Sequence, residues 1–136
     1  MPYLRDYHIF ISHSWDYEKH YDTVCEWLSA ASNFYWTNYS VPITRPLTVK
    51  DNTDLKQRIK NRISNCSCII VLSGMYVAYS NWIDYEIDTA KAMDKPIIGV
   101  KPWGQERIPT KVSYDADILV GWNSSSIVDA VRRYAL

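Results

Sequence analysis

A three-layer, doubly wound α/β sandwich around a five-stranded parallel sheet is the architecture expected of this chain. Short β-type runs alternate with segments of helical periodicity, the order that builds parallel sheets. The Cys68–Leu72 stretch has no polar residue, the mark of a strand buried on both faces. No internal repeat, low-complexity tract or linker breaks the alternation.

The elements follow in order. Tyr7-His8-Ile9-Phe10-Ile11 reads as the first strand, stopped by Ser12-His13-Ser14. Tyr17, Tyr21, Val24 and Leu28 then recur at helical spacing, which predicts an amphipathic helix of about 16 residues. The aromatic segment from Phe34 to Val49 is broken by Pro42 and Pro46; a short second strand is expected near Val41, then a loop through Arg45 and Asp51. Leu55, Ile59 and Ile63 define the next helix, with Lys56, Arg58, Lys60 and Arg62 on its wet side, a solvated face. The third strand runs from Cys68 to Ser73. Ser80 or Asn81 is expected to cap the following helix, whose core face carries Ile83, Ile87 and Ala90. Asp94-Lys95-Pro96 ends it, and Pro96 to Val100 forms the fourth strand. Lys101 to Ser113 reads as irregular. Ile118-Leu119-Val120 is the fifth strand, and Ser126 with Asp129 has the spacing of a capping box for the last helix.

Composition narrows the function. At 136 residues the chain is expected to be one domain spanning 1–136. Fifteen basic residues balance fifteen acidic ones, which argues against a nucleic-acid partner. No apolar run is longer than Cys68–Leu72, and Met1 to Asp6 lacks a signal-peptide core, so the expected location is cytoplasmic with no membrane partner. Cys25, Cys66 and Cys68 cannot all pair with one another, which makes a disulfide framework unexpected, and no ligand set surrounds Cys66 and Cys68, so that pair is read as core rather than as a metal site. Six Trp and eleven Tyr against two Phe favour amphipathic rings, which suit interfaces and polar pockets.

In open parallel sheets ligands bind at the carboxyl ends of strands, which directs attention to Ser12-His13-Ser14-Trp15 and to Ser73-Gly74 through Glu86. The four glycines form neither a dinucleotide fingerprint nor a Walker loop. A receiver domain would need aspartates where this chain has hydroxyls and an imidazole. A flavodoxin-type phosphate loop is likewise replaced by bulky His13 and Trp15. What remains is Trp82 and Glu86, four apart and therefore on one helix face. With the expected cap, Glu86 lies about a turn and a half into its helix, feels the positive end of the dipole and should stay ionised. Such a carboxylate suits gripping a ribose diol or stabilising a cationic transition state. The plainer reading of the same spacing is a boundary Trp beside an exposed helix Glu.

These residues resemble the Toll/interleukin-1 receptor (TIR) domains, specifically the TIR-like proteins of bacterial Thoeris antiphage systems. His8-Ile9-Phe10-Ile11-Ser12-His13-Ser14 is similar to the family's opening strand, and Asn38-Tyr39-Ser40-Val41-Pro42 to its second-strand region. Ser73-Gly74, Tyr76, Ser80, Trp82 and Glu86 match its S…Y…S-x-W-x-x-x-E pattern, and Pro96-Ile97-Ile98-Gly99-Val100 the strand after it. The resemblance covers nearly the whole chain, in order.

The resemblance implies a flavodoxin-like sheet of order 2-1-3-4-5 and an enzyme that cleaves the nicotinamide–ribose bond of NAD, with NAD as substrate and no cofactor. Glu86 would be the catalytic residue, holding the ribose hydroxyls and stabilising the oxocarbenium ion as nicotinamide leaves. Phe10 and Ser12 would line the nucleotide pocket. His13 stands where Tyr or Phe is frequent, and could bind phosphate or ribose, or simply pack. Trp82 would wall the pocket or belong to the core; Arg45 would be a phosphate ligand or a solvated loop residue. The implied product is a cyclic or conjugated ADP-ribose signal for a separate nucleotide-sensing effector. Assembly of the domain, triggered by a phage component, would complete the site. Two other readings compete: a non-enzymatic TIR-like scaffold, and a nucleotide-binding signalling module without turnover.

Overall fold

The computed structural model describes residues 5–12, 18–40, 53–72, 76–101 and 110–136. Its elements run β1 (Asp6–Ser12), α1 (Glu18–Ala30), β2 (Tyr35–Asn38), α2 (Thr53–Ser64), β3 (Cys68–Leu72), α3 (Tyr76–Ala92), β4 (Ile97–Val100), α4 (Thr110–Asp115), β5 (Ile118–Val120) and α5 (Ser124–Tyr134). The five strands form one sheet of order β2-β1-β3-β4-β5, every pair parallel. Helix α1 packs beside α5, whereas α3 packs between α2 and α4, giving the two helical layers of a doubly wound sandwich. The expected fold class and strand order are those observed.

Burial follows the patterning. All of β3 and β4 is buried, as central parallel strands covered on both faces must be. Strand β1 is wet at Asp6 and closed from Ile9 onward; Ile9 pairs with both β2 and β3, and Phe10–Ser12 pair with β3. Ile59 and Ile63 of α2 are buried, whereas Arg58, Lys60 and Arg62 are exposed, so that helix carries the solvated basic face its sequence predicts. Among the described residues no helix is long and apolar enough to cross a membrane. The three cysteines are free thiols; Cys66 and Cys68 are buried and Cys25 is half-buried.

Several boundaries differ from expectation. The second strand is Tyr35–Asn38, ahead of Val41, which lies outside the described residues. Buried Phe34 anchors the chain there, and Tyr35, Trp36 and Thr37 are aromatic and β-branched residues that suit a ladder against Asp6–Ile9. Helix α3 begins at Tyr76, so Ser80 and Asn81 occupy interior positions rather than its start. A cap-type residue ends a helix only where the preceding residues cannot continue it, and Tyr76-Val77-Ala78-Tyr79 can. The last helix is capped by Asn123, whose side chain accepts the Ser126 N–H at 2.8 Å; Ser126 is thus the capped residue. Part of the segment expected to be irregular is helical, since α4 starts at Thr110.

Gly99 shows how tightly β4 is enclosed. A Cβ there would meet Leu119 Cδ2 at 2.6 Å, Val112 Cγ1 at 3.1 Å and Ala116 Cβ at 3.3 Å. Leu119 could swing aside, but the other two contacts are short stubs on the packed α4–β5 unit. Gly99→Val is therefore expected to cost on the order of 1–3 kcal/mol by overpacking, read as a lower Tm in thermal unfolding. An unchanged Tm would mean that α4 does not press on the strand.

Candidate active site

The carboxyl end of β1 and the middle of α3 meet at Ser12 and Glu86. Strand alternation puts Phe10 and Ser12 on the same face of β1, and both are buried. Ser12 closes the β1–β3 ladder opposite Val71, so backbone pairing sets its register against β3. On α3, Ile83, Glu86, Ile87 and Ala90 follow the i, i+3, i+4, i+7 spacing of a core stripe, and all four are buried. A glutamate therefore occupies a position that the helix otherwise gives to apolar side chains. Glu86 is 3% exposed and Ser12 fully closed.

This burial decides the charge. Desolvation pushes the Glu86 carboxyl up to about 8, and the nearby Ser12 hydroxyl offsets only part of that rise. Among the described residues no charged group contributes. Near neutral pH the carboxyl is accordingly protonated, which corrects the expectation of an ionised Glu86. That expectation depended on a helix beginning near Ser80. Since α3 begins at Tyr76, Glu86 is its eleventh residue, about three turns beyond the positive end, where the dipole has faded.

Ser12 influences the carboxyl without reaching hydrogen-bond geometry. Ser12 Oγ and Glu86 Oε2 are both buried and, among the described residues, neither has a partner. A buried polar atom left unpaired costs about 1–3 kcal/mol, so two facing each other need a reason. A donor or acceptor entering from the sheet's carboxyl edge would satisfy both, which is where open α/β sheets bind ligands.

Of the residues named from the sequence, the structure brings together Ser12 and Glu86, with Phe10 one step behind on the same strand face. Trp82 sits on α3 one turn before Glu86, with its side chain outside the described residues; His13, Arg45 and Asp51 lie outside them altogether. Among the described residues no cluster of three His, Cys, Asp or Glu could hold a metal ion. Sequence reasoning missed Ser40. Its Oγ accepts the N–H of Ile11, the residue before Ser12, at 2.8 Å across 29 positions of chain, a link no local spacing reveals.

Most of the chain resembles proteins of known structure in fold. The CMP N-glycosidase BcmB from Clostridium botulinum aligns over 93% of this chain and 99% of its own, at 15% identity and a TM-score of 0.58, a likeness of fold. A 3-dehydroquinate dehydratase-like protein from Bifidobacterium longum aligns over 95% and 94%, at 8% identity and a TM-score of 0.49, too distant to carry an argument. No curated protein matches the sequence. Residues 10–107, a span holding both Ser12 and Glu86, match the family model described as Thoeris protein ThsB, TIR-like domain. With most of its length and the β1–α3 junction inside that match, the chain belongs to the TIR-like domain family of the Thoeris protein ThsB.

Proposed function

We propose that this domain breaks the N-glycosidic bond of a nucleotide, with the nicotinamide–ribose bond of NAD as the bond cleaved and Glu86 as the residue that carries the chemistry. Family membership and a fold shared with a CMP N-glycosidase support a nucleotide-processing role. The observation that carries the reading is the buried Glu86 carboxyl facing Ser12 at the strand end, with an oxygen on each left unpaired among the described residues.

Protonation enters the mechanism directly. A pyridinium ring is cationic, and a cation beside a buried carboxyl favours its ionised form, so NAD binding would displace the Glu86 proton. The resulting carboxylate stabilises the ribosyl cation that forms as C1′–N1 breaks. The bond pair leaves with the ring nitrogen and neutralises it, so no acid is required for departure. Addition of water at C1′ gives ADP-ribose and one proton; addition of an internal or second nucleophile gives a cyclic or conjugated product, the kind of signal a separate effector would read. Phe10 and Trp82 would wall the pocket, and His13 and Arg45 would be candidates for the phosphates.

A second reading is favoured by the raised pKa. A neutral base, such as the cytosine of CMP, needs a proton to depart, and a glutamic acid that keeps its proton near neutrality can supply it.

Chromatography with mass spectrometry of protein incubated separately with NAD and with CMP tests both readings. It should be run at high protein concentration and again in lysate from phage-infected cells. Nicotinamide with an ADP-ribose-derived species supports the first reading, and cytosine with ribose 5-phosphate the second. Consumption of neither substrate overturns both and leaves the scaffold or binding module.

A further inference from the structure

The end of β1 is tied down by a polar relay that reaches it from α1 through the chain after β2. The β1–β2 register stops at Ile9 with Asn38, and Tyr39 N–H still donates to Ile9 O at 2.8 Å. Beyond that point a side chain takes over: Ser40 Oγ accepts the Ile11 N–H at 2.8 Å. Ser40 is itself held, because its own N–H donates to Asn38 Oδ1 at 2.9 Å. The other end of that amide, Asn38 Nδ2, donates to Tyr21 Oη at 2.6 Å and points at Cys25 Sγ at 3.9 Å. Burial raises both the Tyr21 hydroxyl and the Cys25 thiol, so the two stay neutral, and the Ser40 hydroxyl also faces Tyr21. One amide thus joins α1 to the turn that grips Ile11, and Ile11 is bonded through its peptide to Ser12.

We propose that Ser40 and Asn38 are positioning residues, which set where Ser12 stands against Glu86 by fixing the last peptides of β1. The inference rests on Glu86 being the working carboxyl. It goes further by giving the Tyr21–Asn38–Ser40 relay a task at a site none of its members touches. A hydroxyl suits position 40 because it accepts from Ile11 while keeping one proton to give toward Tyr21, whereas a methyl does neither. The strand itself needs no such relay to form, since Asp6–Ile9 already pair with β2 and Ile9–Ser12 with β3.

The test reads the Glu86 carboxyl directly and needs no turnover. In protein labelled with ¹³C at glutamate carboxyls, the Glu86 resonance is assigned by its loss in Glu86→Gln and titrated with pH. Ser12 holds that carboxyl down, so Ser12→Ala is expected to raise its midpoint by about half a unit or more. Ser40→Ala should give a rise in the same direction. Ser40→Thr, which keeps the hydroxyl, should restore the wild-type midpoint, and Ser12→Ala/Ser40→Ala should rise no further than Ser12→Ala alone. Should Ser40→Ala fail to fold, Tyr21→Phe removes only the hydroxyl at the far end of the relay and is expected to raise the midpoint by a smaller amount. A wild-type midpoint in these variants, or a rise fully additive to that of Ser12→Ala, overturns the proposal. Because no nucleotide is present, the proposal can fail while NAD cleavage stands, and NAD cleavage can fail while the titration behaves as expected.

Discussion

Glu86→Gln is expected to lower NAD turnover by at least about a hundredfold while leaving the domain folded. The amide has the size of the carboxyl and matches its neutral form, which is the form the ligand-free protein holds near pH 7. Packing against Ile83 and Ile87 should therefore survive. The variant cannot become negative when a cationic ring arrives, and it cannot supply a proton to a neutral base, so both glycosidic readings lose activity. Nicotinamide release at matched circular dichroism measures the effect, and wild-type turnover by the variant would remove Glu86 from the chemistry. The wild-type pH profile separates the two readings. If the carboxylate works, kcat/KM rises with pH and levels off above the pKa of about 8; if the acid works, it falls through the same region.

The order of elements was legible because the apolar runs are unambiguous. Cys68–Leu72 and Ile118–Val120 could only be strands in an alternating chain, and Leu55, Ile59 and Ile63 only a helix stripe. What failed was placement that depends on tertiary contacts. Tyr35–Asn38 is a short edge strand, largely exposed, and its pairing with Asp6–Ile9 leaves no periodicity to read. The start of α3 was misplaced because Ser80 and Asn81 are cap formers in general and interior residues here. That single boundary propagated into the chemistry, since it brought Glu86 near a helix dipole it does not feel. The burial of Glu86 was nonetheless written in the sequence: three residues after Ile83 and four before Ala90, it falls inside the stripe those residues define. Ser12 was visible as the hydroxyl that ends an apolar strand. Ser40 was not, because its partner is a backbone N–H on another strand.

Stability should fall as pH rises through the window set by Glu86. The folded carboxyl titrates at about 8 against an ordinary 4.5, so between those values the folded chain holds a proton that the unfolded chain has lost. The stability this contributes is fully present below about 4.5, declines as pH rises and is gone above about 8. The full shift is worth on the order of 5 kcal/mol, a large part of a domain's net stability. Urea unfolding of wild type and Glu86→Gln at pH 5, 6.5 and 8 isolates the effect, because every other titrating group is common to both proteins. Wild type should weaken relative to the variant at each step, with the variant the more stable at pH 8. Parallel pH dependence would mean that Glu86 is solvated in the folded protein. The same energy defines what a ligand must supply: a cation that binds beside Glu86 removes the cost of its charge. Saturating 1-methylnicotinamide, a pyridinium without a sugar, should therefore narrow the wild-type deficit at pH 8, whereas uncharged nicotinamide should leave it in place.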